Sequence, residues 1–302
     1  MIMKALRLYY CAAARNFGDQ MSPLVVREMS GCEIVSAKHT VQADLMAMGS
    51  IFYDGGNVCQ RRTSPFSFAG ALQRLKLVKQ AIRPPCYVWG SGFLTDGIAV
   101  GSVPLLKLDI RAVRGKYSVA LLQKAGYSVD EDLVRLGDPG LLYPSLFGVA
   151  SEKKEYDLGV VPHMSDTPSG DFLTARFSAV GARVRLIDVA GPVDRVVREI
   201  ASCGAILSSS LHGLVLADAL GVPNRQMLLS LYSIPGDQFL LKFKDYYSAF
   251  GEELPAPLML REIAGAPSGV LKAISDRPAR SRDQVLEVCS GLRESFPKEL
   301  CA

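Results

Sequence analysis

No apolar run in this chain of 302 residues is long enough to cross a bilayer. The longest, such as Leu211 to Leu220, are broken by His212 and Asp218 and fall far short of the ~20 residues a spanning helix needs. Cysteine pairing is missing as a pattern. The seven cysteines are odd in number, scattered, and never spaced C-x-x-C, which argues against a disulfide framework and against thiolate zinc sites. A reducing compartment fits that usage. Charge of one sign is scarce as well: the net charge is +4, and no stripe of Lys and Arg interleaved with aromatics marks a nucleic-acid surface. That balance still admits an anionic small substrate or weak peripheral contact with acidic lipid headgroups. No G-x-x-x-x-G-K-[ST] segment occurs, and Gly55-Gly56-Asn57 and Gly90-Ser91-Gly92 do not complete G-x-G-x-x-G, so neither a phosphate loop nor a dinucleotide site is expected. No repeat of 20 to 50 residues is visible. Arg7 interrupts the apolar start and Arg15 stands where an export signal needs small residues. The N-terminus therefore reads as a first strand and the protein as cytoplasmic.

What the sequence does contain is an ordinary globular composition, 49% apolar and 21% charged, with a rhythm of short β-rich runs and helical patterns. Its length suggests two lobes. Strands are expected at Ala5–Cys11, Glu33–Ala37, Asp44–Phe52, Cys86–Trp89 and Lys107–Val113, and helices at Asp19–Met29, around Gly70–Ile82, and at Tyr117–Ala125. GDPGLLYP from Gly137 to Pro144 breaks the pattern, and Ser151–Glu155 reads as a linker. Three further βα units follow, with strands at Asp157–Val161, Val184–Val189, Ala205–Ser208 and Arg225–Leu229 and helices at Phe172–Val180, Val193–Ser202 and Leu211–Leu220. The reading is two α/β, Rossmann-like, doubly wound lobes facing a central cleft, over residues 1–150 and 151–265. The rhythm is expected to lapse after Tyr247, where Pro255, Pro257, Pro267 and Pro278 break the chain into short pieces, and residues 266–302 form a helical segment, with an amphipathic helix at Gln284–Glu294, that by analogy packs back on the first lobe.

The segment AILSSSLHGLVLADALGVPN, Ala205 to Asn224, passes from a strand through three serines into a helix. Helix N-termini at the carboxyl ends of strands bind anions through free N–H groups and the helix dipole. Ser209 and Ser210 can cap the helix or donate hydroxyls, Gly213 can let a ligand approach the backbone, and a plain serine cap beside a satisfied histidine explains the spacing equally well. There are three histidines. His163 also follows a strand, as Val161-Pro162-His163, whereas His39 lies in a polar turn. Asn16-Phe17-Gly18-Asp19 offers a turn and a helix start that Asp19 is suited to cap. Asp130-Glu131-Asp132 reads as a solvated turn, so no metal is expected. Arg277, Arg280 and Arg282 form a basic cluster with two readings, a contact to anionic lipid or a solvated helix start.

Taken together these pieces resemble the polysaccharide pyruvyl transferases, which carry a Ser-x-Arg-Leu-His-Gly segment followed by an apolar helix and Gly-x-Pro. Here the segment stands as Ser208-Ser209-Ser210-Leu211-His212-Gly213, with Gly221-Val222-Pro223 after it. Asn16-Phe17-Gly18-Asp19, Gly49-Ser50, Trp89-Gly90-Ser91-Gly92, Val113-Arg114-Gly115, Gly137-Asp138-Pro139 and Lys244-Asp245-Tyr246-Tyr247 occur in the family's order. The resemblance implies a two-lobed, GT-B-like enzyme that moves pyruvate as a ketal from phosphoenolpyruvate to a sugar of an exopolysaccharide or its lipid-linked precursor, with no other cofactor. It implies His212 as general acid and donor contacts from Arg114, Ser209, Ser210, Gly213 and Lys244; forming a ketal also asks for a carboxylate, Asp19, to deprotonate or orient the acceptor, and His163, at a strand's carboxyl end, is either a further donor contact or a capping or surface residue. The acceptor is expected near Asn16, Gly18, Gly90 and Ser91. The family's arginine two residues before the histidine is Ser210 here, and Arg114, Lys242, Lys244 or Arg225 must replace that cation, Arg114 being the first choice. A nucleotide-sugar glycosyltransferase of the same architecture and a non-catalytic sugar-binding relative are the alternative readings.

Overall fold

The computed structural model describes residues 4–13, 15–61, 67, 83–99, 101–150, 153–229 and 240–301. The helix expected around Gly70–Ile82 lies outside the described residues. Strands β1 (Ala5–Tyr9), β2 (Glu33–Ser36), β3 (Leu45–Met46), β5 (Cys86–Ser91), β7 (Leu108–Val113) and β8 (Arg135–Leu136) form a sheet in the order β2-β1-β3-β5-β7-β8. Every pairing in it is parallel. A short antiparallel ribbon, β4 (Cys59–Arg61) with β6 (Ser102–Pro104), stands beside it. The second sheet has the order β10-β9-β11-β12-β13, from β9 (Leu158–Val161), β10 (Val184–Leu186), β11 (Ile206–Ser208), β12 (Asn224–Leu228) and β13 (Leu258–Met259), again all parallel. Both lobes are α/β.

In each sheet the strand order reverses beside the lobe's first strand, between β1 and β3 and between β9 and β11. Such reversals leave a crevice outside the carboxyl ends of the two strands, where the following loops diverge to opposite faces. The loop after β1 enters α1 (Phe17–Ser30), and the loop after β11 enters a helix at Leu211–Ala219. Helix α1 forms because Asn16 caps it, its Oδ1 accepting from Gly18 N at 3.0 Å, and because Phe17, Met21, Val25 and Val26 give it one buried stripe. Gly31, left-handed at φ 67, ends it. The expected cap was Asp19, which instead lies inside the first turn.

The remaining helices are α2 (Lys116–Lys124), α3 (Tyr143–Leu146), α4 (Thr167–Ser178), α5 (Val193–Ala201), α6 (Leu211–Ala219), α7 (Leu241–Ser248), α8 (Leu260–Gly265), α9 (Pro267–Ser275) and α10 (Arg282–Ser295). Helix α6 is buried from Leu211 to Asp218, which is why its sequence is apolar all round. One continuous apolar cluster holds residues of both lobes, among them Leu8, Phe17, Met21 and Trp89 with Val161, Val197, Leu214 and Val215. Phe17 N donates across the seam to Val189 O at 2.8 Å. Two expectations need correction. The strand expected over Asp44–Phe52 is confined to Leu45–Met46, because Gly49 turns the chain at φ 108 and residues 51–58 are turns. The rhythm expected to lapse after Tyr247 continues into edge strand β13, where Pro255 and Pro257 precede the paired residues instead of interrupting them.

Helix α10 packs on the first sheet. Leu292 and Trp89 are both fully buried, Trp89 Nε1 donates to Leu292 O at 2.8 Å, and the Trp89 and Phe296 rings meet edge to face at 4.9 Å. Arg280, just ahead of this helix, is turned inward. It binds Asp218 at 3.0 Å and Glu252 at 2.6 Å and lies over the Phe250 ring at 3.8 Å, so it takes no part in a lipid-facing cluster. Among the described residues no helix is long and apolar enough to cross a membrane. Leu292→Ala is expected to lower stability by about 2–5 kcal/mol, as large-to-small changes in packed cores do. Urea unfolding checks it, and a loss under about 1 kcal/mol would mean that α10 does not anchor on the first sheet.

Candidate active site

His212 is the second residue of α6, and its ring reaches across the seam to the start of α1. An added Cβ on Gly18 would fall 2.0 Å from His212 Nδ1, so the imidazole occupies the space that a side chain there would fill. On the other edge, His212 Nε2 lies 3.6 Å from Asp138 Oδ2. Asp138 is completely buried, and its Oδ1 accepts from Gly140 N at 2.9 Å, capping the turn after β8. The Phe17 ring meets the imidazole edge to face at 6.3 Å. Loops from β1, β8 and β11 thus hold one histidine in place.

Asp19 is half-buried next to this ring. Burial raises its carboxyl above the usual aspartate range, and His212 and Lys242 pull it partly back. Lys242, on α7, has its ammonium lowered to about 8 by burial and by repulsion from Arg114, with Asp19 and Asp166 opposing. His163 follows β9. Burial and then Lys242 lower its imidazole, against the pull of Asp166. Its backbone N–H donates to Ser209 Oγ at 2.8 Å, and Ser209 Oγ donates to Asp166 Oδ2 at 2.8 Å. The two reversal points therefore bring together Asp19, His212, His163, Ser209 and Lys242, with two helix N-termini between them.

Several expected contacts go elsewhere. Arg114 is fully buried, with Nε on Asp245 Oδ2 at 3.0 Å, Nη1 on Ser50 Oγ at 2.7 Å and Nη2 on Phe93 O at 2.6 Å. It is a structural cation, not a free donor contact. Lys244 lines a separate groove of about 530 Å³ with Lys116, Tyr117 and Glu253, which shares no lining residue with the His212 cluster. Two residues apart on α7, Lys242 and Lys244 point roughly 200° from one another, and it is Lys242 that feels Asp19 and Asp166. Gly213 has no room for a ligand, since a Cβ there would meet Ser208 Oγ at 2.4 Å and Val161 Cγ1 at 3.0 Å. Ser210 occupies the cap position without a side-chain cap bond. Ser208 orders the turn instead, accepting from Ser210 N at 3.0 Å and donating to Ser210 O at 2.8 Å.

On the first lobe, Gly90 packs against Pro139, where a Cβ would come within 2.2 Å of Cδ. Ser91 is fully buried and its hydroxyl donates to Ala47 O. Neither faces an acceptor. Asn16 spends its carbonyl oxygen on the α1 cap, and Gly18 admits His212. Two residues escaped the sequence reading. Asp138 stood in plain view within Gly137-Asp138-Pro139, but nothing in spacing ties it to His212. Tyr53 is 41% exposed, holds a left-handed φ of 49, and lies within electrostatic reach of Asp19. A non-glycine residue held there is uncommon and concentrates at functional loops.

The geometry can be set beside known proteins. The family model described as polysaccharide pyruvyl transferase matches residues 34–225, which bears out the resemblance read from the motifs. An uncharacterized protein of Acanthamoeba polyphaga mimivirus is 30% identical over 148 residues, 48% of this chain and 49% of the relative. The succinoglycan biosynthesis protein ExoV of Rhizobium meliloti (strain 1021) is 33% identical over 136 residues, 45% of this chain and 40% of ExoV. The matched stretch thus spans about half or less of these curated relatives. A functionally uncharacterized protein of Klebsiella pneumoniae, known from a crystal structure, aligns with a TM-score of 0.41 and 12% identity over 79% of this chain and 87% of its own.

Lys242 generates a test of the site's electrostatics. Its folded pKa lies below the ordinary lysine value, so the charged form costs stability below about pH 8. Between there and the unfolded value the folded state has released a proton that the unfolded chain keeps, and stability rises with pH. Lys242→Met is therefore expected to raise the urea midpoint at neutral pH, with the gain over wild type shrinking as pH climbs toward 10.5. A gain that does not change with pH would show that the ammonium is not destabilised by its surroundings.

Proposed function

The chain belongs to the polysaccharide pyruvyl transferase family, and on that premise we propose that it transfers pyruvate as a ketal from phosphoenolpyruvate to a sugar diol of an exopolysaccharide or its lipid-linked precursor. The observation that carries the reading is the convergence of both strand-order reversals on His212, with Asp19 in electrostatic reach of both His212 and Lys242. We further propose that the two lobes face each other in the GT-B manner, with residues 1–150 on the acceptor side and 151–265 on the donor side.

Phosphoenolpyruvate carries a phosphate and a carboxylate. Lys242 takes the place of the family arginine whose position Ser210 occupies, and His163 and the N-termini of α1 and α6 add N–H donors. His212 as imidazolium gives a proton to the methylene carbon, the C=C electron pair forming the new C–H bond and leaving C2 as an oxocarbenium-like centre. One sugar hydroxyl attacks C2 and loses its proton to Asp19, a carboxylate that burial makes more basic than usual. The second hydroxyl then displaces phosphate, which leaves with the C–O electron pair. Of the two hydroxyl protons one ends, net, in the ketal's methyl group and the other on phosphate. Tyr53 provides an exposed ring against which the sugar face can lie beside Asp19.

Two measurements test this. Wild type should release phosphate from phosphoenolpyruvate only with an acceptor present, across a panel of galactosides, glucosides and mannosides, and His212→Ala should lower the rate by roughly 10²–10⁴-fold. Stabilisation by nucleotide sugars and not by phosphoenolpyruvate in a thermal-shift assay would point to the glycosyltransferase reading instead. The KM for phosphoenolpyruvate should climb as pH passes about 8, where Lys242 loses its charge, and Lys242→Gln should raise KM at neutral pH and flatten that climb. A profile unchanged by the substitution would remove Lys242 from the donor site.

A further inference from the structure

Among the described residues, few buried side-chain polar atoms lack a hydrogen-bond partner, and two of them face each other: Asp138 Oδ2 and His212 Nε2. Orphaned buried polar groups cost free energy and are rare in native proteins, so a facing pair calls for an explanation. At 3.6 Å the two atoms stand about 0.4 Å beyond the ~3.2 Å outer end of the N–H···O hydrogen-bond range. Asp138 is itself immobile, fully buried with its other oxygen tied to Gly140 N at 2.9 Å.

We propose that Asp138 is the positioning residue for His212, holding the neutral ring as the Nε2–H tautomer so that Nδ1 is the nitrogen that exchanges protons with substrate. Nε2 is sealed from solvent without a partner, whereas Nδ1, on the other edge of the ring, lies against Gly18 at the start of α1 and is not among the sealed, unpartnered atoms. When the imidazolium gives up its Nδ1 proton, the Nε2 proton stays behind on the ring, held by the Asp138 carboxylate. That carboxylate accepts a hydrogen bond throughout and is not itself protonated, and it stabilises the imidazolium from which the reaction starts.

The role of Asp138 in catalysis rests on the transferase reading, but the tautomer does not. In Asp138→Asn the carbonyl oxygen can keep the bond from Gly140 N–H, which turns the amide NH₂ toward Nε2. An amide donor there requires Nε2 to be an acceptor and moves the ring proton to Nδ1. The experiment is ¹⁵N NMR of His212 in the free protein, at a pH where the ring keeps one proton, for wild type and Asp138→Asn, with steady-state kinetics on both. The expected result is Nε2–H in wild type, Nδ1–H in the variant, and kcat lower by roughly 10²–10⁴-fold with little change in KM for phosphoenolpyruvate. Wild type carrying its proton on Nδ1, or an identical tautomer in both proteins, overturns the proposal, and the wild-type spectrum alone decides if the variant fails to fold. A tautomer swap without phosphoenolpyruvate turnover in either protein would keep the Asp138–His212 pair and reject the transferase reading. Equal kcat despite a swap would make Asp138 structural only.

Discussion

The buried ion pair between Arg114 and Asp245 is the constraint on which the cleft depends. Both side chains are sealed, and Asp245 also accepts from Ser118 N at 2.9 Å and from the Ser118 hydroxyl. Two charges moved out of water gain little net stability from each other, yet removing one strands the other at a cost of about 3–5 kcal/mol. The pair therefore acts as a lock on position. It pins α7 to the end of β7 and the start of α2, so closely that a Cβ on Gly115 would fall 1.7 Å from Asp245 O. With α7 held there, Lys242 has little choice but to face the cleft, and the nearby Arg114 charge helps depress its pKa to about 8.

The same economy of space governs the catalytic side. The imidazole of His212 fills the volume that Gly18 leaves empty, so the start of α1 and the start of α6 pack directly on one another. Because α1 and α6 both begin at this point, their dipoles favour negative charge in the one place where an anionic donor is proposed to sit. Asp19, Asp138 and Asp166 bring carboxylates into the same volume, and each has a distinct neighbour: Lys242 and His212 for Asp19, the sealed edge of His212 for Asp138, and Ser209 for Asp166. Among the described residues no group of three or more histidine, cysteine or carboxylate side chains is arranged to hold a metal ion.

Much of this was legible from residue order. The alternation of apolar runs and helical stripes placed β1, β7, β9, β11 and α1, α5, α6 within a few residues of their observed limits, because burial on a parallel sheet demands those patterns. The motif series around His212 and Gly18 marked the cleft for a similar reason: loops leaving the carboxyl ends of parallel strands are where ligand-binding residues accumulate. Where that local logic misled, the cause was packing at a distance. Gly213 looked like an opening for ligand, but Ser208 and Val161 fill the space; Ser91 looked like an acceptor contact, but Ala47 O takes its proton.

By itself, then, the sequence determined the alternating α/β architecture, the family, and the place of His212 at a helix start after a strand, since hydrophobic period, capping residues and short motifs are properties of neighbours along the chain. Tertiary structure alone decided which cation meets the cleft and which carboxylate backs the histidine. Arg114 and Lys242 are both plausible cations when read as letters, and burial against Asp245 is what removes the first and leaves the second. Asp138 and His212 follow strands of different sheets, 74 residues apart in the chain, and no local pattern encodes an approach that only the packing of one sheet's loops on the other's brings about.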